Sequence, residues 1–155
     1  MDTETNTEAA PLDIRREPPH LIGEVMRASQ ALIAAFSREV GMPPARLAVL
    51  RLLAITHPDG LGTMEIARQL GVNAAAVTRL VQTLEAEGLI DRTPDPRDAR
   101  RSALRLSNAG QAAFQTLHAR VHAFEQALHA EFTAEEIAVA TRVLTRLRTA
   151  IQDPH

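Results

Sequence analysis

The chain of 155 residues has no cysteine, no tryptophan, no tyrosine and no lysine. Without cysteine, disulfides, thiolate metal ligation and thiol-based redox sensing are excluded together. Aromatic content is four Phe, so a core must be built from Leu, Val, Ile and Ala, a composition that leans towards helix. No apolar run approaches the roughly 18 residues that span a bilayer. The N-terminus lacks the basic-then-apolar order of a signal peptide. The expectation is a soluble, cytoplasmic protein with no membrane partner. No Gly-rich phosphate loop and no Ser/His/Asp arrangement stands out, so an enzyme is the least supported class and no cofactor is expected.

What is present is Arg. All 17 basic residues are Arg, against 19 acids, for a net charge of -2. Five of the acids (Asp2, Glu4, Glu8, Asp13 and Glu17) fall in the first 17 residues, which leaves the remainder near neutral. Arg forks suit phosphates and narrow grooves, although codon bias in a GC-rich genome gives the same composition. Any nucleic-acid reading must therefore rest on local clustering of charge.

Residues 1–18 are polar, acidic and Pro-bearing and read as a disordered arm. Residues 19–155 read as one domain. A helix over about 19–41 keeps helical spacing from Leu21 and Ile22 to Phe36 and Val40, and Gly41 stops it. "PPARLAVLRLLAITHPDG" gives a second helix with an apolar stripe of Leu47, Leu50, Leu53 and Ala54, ended by Pro58. Thr63 is an N-cap candidate for "MEIARQL". After Gly71-Val72-Asn73 a further helix opens on Asn73, a favoured cap type, and stops at Gly88. Two short helices joined by a Gly-containing turn match the helix-turn-helix. Two strands, "GLIDRT" and "SALRLS", follow, linked by the charged "TPDPRDARR". The order defines a mainly helical fold, a winged helix-turn-helix over about 43–107 with a two-stranded wing.

Two helices over about 108–152 close the chain. Phe114, Leu117, Val121, Phe124 and Leu128 are spaced 3, 4, 3 and 4, as are Ile137, Ala140, Leu144, Leu147 and Ile151. "TAEE" at Thr133 to Glu136 is a capping box for the second. Narrow seams of this kind suit helix-on-helix packing. Outside the winged module these helices have little of their own to pack on. Packing against the N-terminal helix and a second copy of the chain is expected, with packing inside one chain as the simpler alternative. The candidate dimerisation residues are Leu21, Leu117, Val121, Phe124, Leu128, Leu144, Leu147 and Ile151.

In the helix from Ala74, Val77, Leu80, Val81 and Leu84 form the core side. Ala75, Arg79, Gln82 and Ala86 lie opposite, with Thr78 at the shoulder. Arg can contact guanine bidentately and Gln adenine, and a recognition helix enters the major groove with its N-terminal part. Arg79 could equally sit on phosphate. At the hairpin tip, Arg97, Arg100 and Arg101 alternate with Asp95 and Asp98. Asp98 is expected to pair with one Arg, foremost Arg100, leaving the others for the minor groove or phosphates. With the two cap residues Thr63 and Asn73, the candidate DNA-contacting set is Thr63, Asn73, Ala75, Thr78, Arg79, Gln82, Arg97, Arg100 and Arg101.

The stretch "GVNAAAVTRLVQTLEAEGLIDRTPDPRDARRSALRLSNAG" resembles the MarR family of bacterial transcription regulators. The family's wing pattern, Asp-x-Arg-Asp-x-Arg followed by Leu-x-Leu-Thr, is matched by Asp95, Arg97, Asp98, Arg100, Leu104, Leu106 and Ser107. The resemblance implies a homodimeric, ligand-responsive regulator, more often a repressor, whose two winged modules read a palindromic double-stranded operator. It implies that Asp98 braces Arg100 and that a wing-tip Arg enters the minor groove. Many relatives have Arg where this chain has Ala99, which leaves the division of labour among the tip arginines open. It further implies a small-molecule effector, often phenolic or aromatic, bound in a crevice between the dimer helices and the winged module.

His118, His122, Glu125 and His129 form one stripe, and His at i and i+4 can share a metal. Zinc-sensing relatives use such a His pair. They draw further ligands from earlier helices, where only His20 and His57 are available here, so no metal is expected. A zinc-responsive regulator of the same fold, and a winged-helix protein-interaction module without DNA binding, are the alternative readings.

Overall fold

In the computed structural model, which describes residues 20–95 and 98–152, the order of elements follows the pattern of the sequence. It runs α1 (Leu21–Val40), α2 (Pro44–Ile55), α3 (Thr63–Leu70), α4 (Ala74–Ala86), β1 (Ile90–Asp95), β2 (Asp98–Leu106), α5 (Asn108–His129) and α6 (Ala134–Gln152). The arm expected over 1–18 lies outside the described residues, as do Pro96 and Arg97 and the side chains of Ala99 and Arg100. The chain divides into two units, one ending at Leu32 and one from Ile33 onward. In the first, Leu21, Ile22, Met26 and Leu32 of α1 are all exposed.

The second unit holds the core. Pro44 opens α2 at a position where a missing N–H costs nothing. Its buried stripe is Leu47, Val49, Leu50 and Leu53, with Ala54 only half-buried. Ile66 from α3, Val77, Val81 and Leu84 from α4, and Ile90, Leu104 and Leu106 from the hairpin join it. Burying a side chain of this size is worth about 1.5–3 kcal/mol, so the winged module is held by its own apolar interior.

β1 and β2 pair antiparallel, Ile90 opposite Leu106 and Pro94 opposite Ser102, with an irregularity between Pro94 and Asp95. The wing has a third edge that the sequence pattern does not show. Leu61 bridges Leu104, its N–H donating at 3.1 Å and its carbonyl accepting at 2.8 Å. That bridge welds the base of the wing to the loop before α3.

α6 has no buried residue; Ile137 and Leu147 are half-buried. Its start is the expected capping box. The Thr133 N–H and hydroxyl both donate to Glu136 Oε2 at 2.8 Å, and the Glu136 N–H donates back to Thr133 Oγ1 at 3.2 Å. The Thr133 backbone N–H, then its hydroxyl, hold the Glu136 carboxyl below its ordinary value. A lowered carboxyl pKa gives stability that is complete above the ordinary value and lost as pH falls through the lowered one. Glu136→Gln is therefore expected to flatten the pH dependence of thermal unfolding in the acid range, the two curves converging once the wild-type carboxyl is protonated. Melting curves across that range check it.

Candidate nucleic-acid interface

The helix-turn-helix is built by local chemistry. Gly62, in extended conformation, is the N-cap of α3, so the expectation of a Thr63 cap is corrected. The first helical bond runs from the Ile66 N–H to the Gly62 carbonyl at 3.0 Å, which places Thr63 already inside the helix. At the other end Gly71 adopts φ +66°, a left-handed conformation that glycine enters without strain. Asn73 caps α4, its side chain accepting from the Ala76 N–H at 2.7 Å. Its carbonyl oxygen is thereby engaged, and its amide nitrogen is what remains for another partner.

α4 presents two faces. Val77, Val81 and Leu84 are buried, and Leu80 packs half-buried against them. Ala75, Thr78, Arg79, Gln82 and Ala86 are exposed on the opposite side. The Thr78 hydroxyl donates to the Ala74 carbonyl at 2.8 Å. Among the described residues, Arg79 and Gln82 have no side-chain partner. Two multidentate polar groups between small residues leave this face able to make hydrogen bonds and contacts with an external ligand.

The wing rises beside this helix. Asp95 is buried at 8% exposure. Arg101 Nε lies 3.6 Å from Asp98 Oδ2, both side chains largely exposed. The expected Asp98–Arg100 brace falls on a side chain outside those described, as does any role of Arg97. An open groove of about 990 Å³ runs between the start of α3 and the wing, lined by Gly62, Met64, Glu65, Arg68, Asp95, Asp98, Arg101 and Ser102. Arg68 and Arg101 put positive charge on its two sides, each near an acid of its own element: Glu65 at 3.9 Å and Asp98 at 3.6 Å.

Sequence reasoning missed three groups that hold this interface. Arg46 of α2 pairs with Glu87 just past the end of α4. Arg92 of β1 pairs with Glu85 of α4. Gly110 of α5 touches the backbone of Leu89. Arg46 and Glu87 lie 41 residues apart, and only the fold brings them together; Glu85 and Arg92 are seven apart, but the turn between α4 and β1 breaks any helical periodicity that could connect them.

The expected dimerisation residues divide. Leu117, expected at the seam, is buried in the chain's own core at 7% exposure. The α5 stripe turns inward at its middle, where Val121 and Phe124 also pack half-buried on that core. Phe124 meets Phe36 edge to face at 5.7 Å. Leu21, Leu128, Leu144 and Ile151 are exposed, and Leu147 is half-buried. On the His stripe, His118 and His122 bring their Nε2 atoms to 3.2 Å, and His122 Nδ1 lies 3.9 Å from Glu125. His129 does not join them in a metal-ligating group, and no cluster of three or more such residues occurs among the described residues.

A helix-turn-helix with an exposed polar recognition face, followed by a charged two-stranded wing, defines a winged-helix DNA-binding protein. A profile of the MarR family matches residues 40–101. Transcriptional regulator AdcR of Streptococcus pneumoniae is 32% identical, over 76% of this chain and 81% of its own length. The HTH-type transcriptional regulator YdgJ of Bacillus subtilis is 26% identical, over 88% of this chain and 82% of its own. The PcaV transcriptional regulator of Streptomyces coelicolor, solved with its natural ligand, superposes with a TM-score of 0.76 at 27% identity, covering 92% of this chain and 99% of its own. The chain belongs to the MarR family and is a DNA-binding transcription regulator. No described helix is long and apolar enough to cross a membrane.

Proposed function

We propose that the chain acts in the cytoplasm as a homodimeric repressor that binds a palindromic operator and is released by a small aromatic effector. The observation that carries the operator reading is the exposed face of α4, where Arg79 and Gln82 are unspent among Ala75, Thr78 and Ala86. Asn73 and Thr63 at the helix starts, and Arg97, Arg100 and Arg101 of the wing, complete the proposed contact set. Asp98 is assigned to bracing Arg100.

Dimerisation is supported by apolar surface that one copy leaves in water. Leu144 and Ile151 of α6 are 49% and 68% exposed, and Leu128 of α5 is 37% exposed. With Leu21, Val121, Phe124 and Leu147 they supply the proposed contact between copies. The aromatic effector is supported by Phe36, Phe114 and Phe124, half-buried on the edge of the core, with His118 stacked on Phe114 at 5.7 Å.

The test is selection from a random double-stranded library by the purified chain. The expected product is a pair of inverted half-sites about one helical turn, ~10 bp, apart. Binding should fall steeply as salt rises, and Arg100→Ala should weaken it. Failure to retain any duplex at low salt would return the protein to the class of winged-helix interaction modules.

A further inference from the structure

Arg92 stands where three elements meet. Its Nε and Nη2 donate to Glu85 Oε1 and Oε2 at 2.9 and 3.0 Å, a bidentate fork onto the last turn of α4. Its Nη1 donates to Ser102 Oγ at 3.1 Å, on the strand opposite and two residues beyond the Arg92–Leu104 register pair. One guanidinium thus ties the recognition helix, β1 and β2 together. A fork–fork contact fixes direction as well as distance. Arg92 and Glu85 are 42% and 26% exposed, and pairs so open to water contribute little to stability. Geometry is what such a contact can supply.

The need for it follows from where the core stops. Ile90, Ala103, Leu104 and Leu106 are buried, so the base of the wing is fixed by packing. Beyond Ala103 no described residue of the ladder joins the apolar core, and the one buried there is the polar Asp95 at the end of β1. From Arg92 to the end of β1 is three residues, or ~10 Å of strand. A tilt of ~10° at Arg92 would move the tip by nearly ~2 Å over that length, enough to unseat a positioned contact.

We propose that Arg92 is a positioning residue for DNA recognition. Through Glu85 and Ser102 it sets the angle between wing and recognition helix, so that the tip and the α4 face meet the same stretch of duplex. The inference rests on the operator reading above. It differs from a direct Arg–phosphate contact in the effect it assigns to Glu85, whose carboxylate then helps binding.

Glu85→Ala decides by sign. Removing a negative charge near DNA strengthens binding if charge alone matters; loss of positioning weakens it. The expected result on the selected duplex is a loss of roughly tenfold for Glu85→Ala and for Arg92→Ala, in the range of coupled contacts, with little change in melting temperature. When Arg97, Arg100 and Arg101 are all Ala, the further loss from Arg92→Ala should largely vanish, because there is no tip left to aim. Unchanged or tighter binding by Glu85→Ala overturns the proposal. So does an Arg92→Ala loss that persists without the tip arginines and lowers the salt slope by about one, the signature of a phosphate contact. If Glu85→Ala does not fold, Glu85→Gln carries the same sign test. Absence of any binding by the unaltered chain would instead overturn the DNA reading beneath it.

Discussion

Arg79→Ala is expected to weaken operator binding by roughly one to two decades, leaving the melting temperature almost unchanged. Arg79 is exposed on the second turn of α4 and has no side-chain partner among the described residues, so its removal costs the fold nothing. A bidentate base contact is worth about 1–3 kcal/mol of discrimination, which converts to that range of affinity. Titration against the selected operator and a scrambled duplex separates two origins of the loss. A drop confined to the operator assigns Arg79 to a base edge. A drop on both duplexes, with a salt slope shallower by about one, assigns it to phosphate. No drop on either would remove α4 from the interface.

Gly110→Ala is expected to be strongly destabilising for so small a substitution. A Cβ at Gly110 would lie 1.8 Å from the Leu89 carbonyl oxygen and 2.8 Å from its carbonyl carbon. Both are backbone atoms and cannot rotate away. The same carbonyl accepts from the Ser107 N–H at 3.1 Å, and the Ser107 hydroxyl donates to the Gly88 carbonyl at 2.6 Å while accepting from the Gly110 N–H at 2.9 Å. The first turn of α5 is thus bonded onto the segment between α4 and the wing, and an added methyl must pry them apart. Overpacking commonly costs 1–3 kcal/mol and occasionally more; with backbone on both sides, about 3 kcal/mol is expected. For a chain of this size that lowers the melting midpoint by about 6–12 °C. A midpoint within ~2 °C of wild type would show that α5 can shift without cost.

These two positions show what the sequence reveals and what it hides. The exposed face of α4 was legible because helical periodicity sorts Val77, Val81 and Leu84 from Arg79 and Gln82 without reference to the rest of the chain. The capping box at Thr133 and Glu136 was legible for the same reason: four consecutive residues contain the whole device. Gly110 was not, since its requirement comes from Leu89, on the far side of the hairpin. Leu117 carries the same periodic signal as a seam residue, and only the packing of α5 on α2 decides that it faces its own core. Arg46–Glu87 and Leu61–Leu104 likewise join segments whose meeting depends on the completed fold. Local rules thus sorted the exposed face of α4 from its buried one, while most of the contacts that hold the helix and wing in place are long-range.

The Leu61–Leu104 bridge has a mechanical consequence. Leu104 is fully buried; its N–H and carbonyl both bond Leu61 in the loop before α3, while in the hairpin ladder it stands opposite Arg92. The root of the wing is therefore clamped to the loop before α3, beside the Arg92 fork onto α4. For the proposed ligand-responsive dimer, the consequence is that a change in wing spacing would move each clamped module, wing and recognition helix together, as one body.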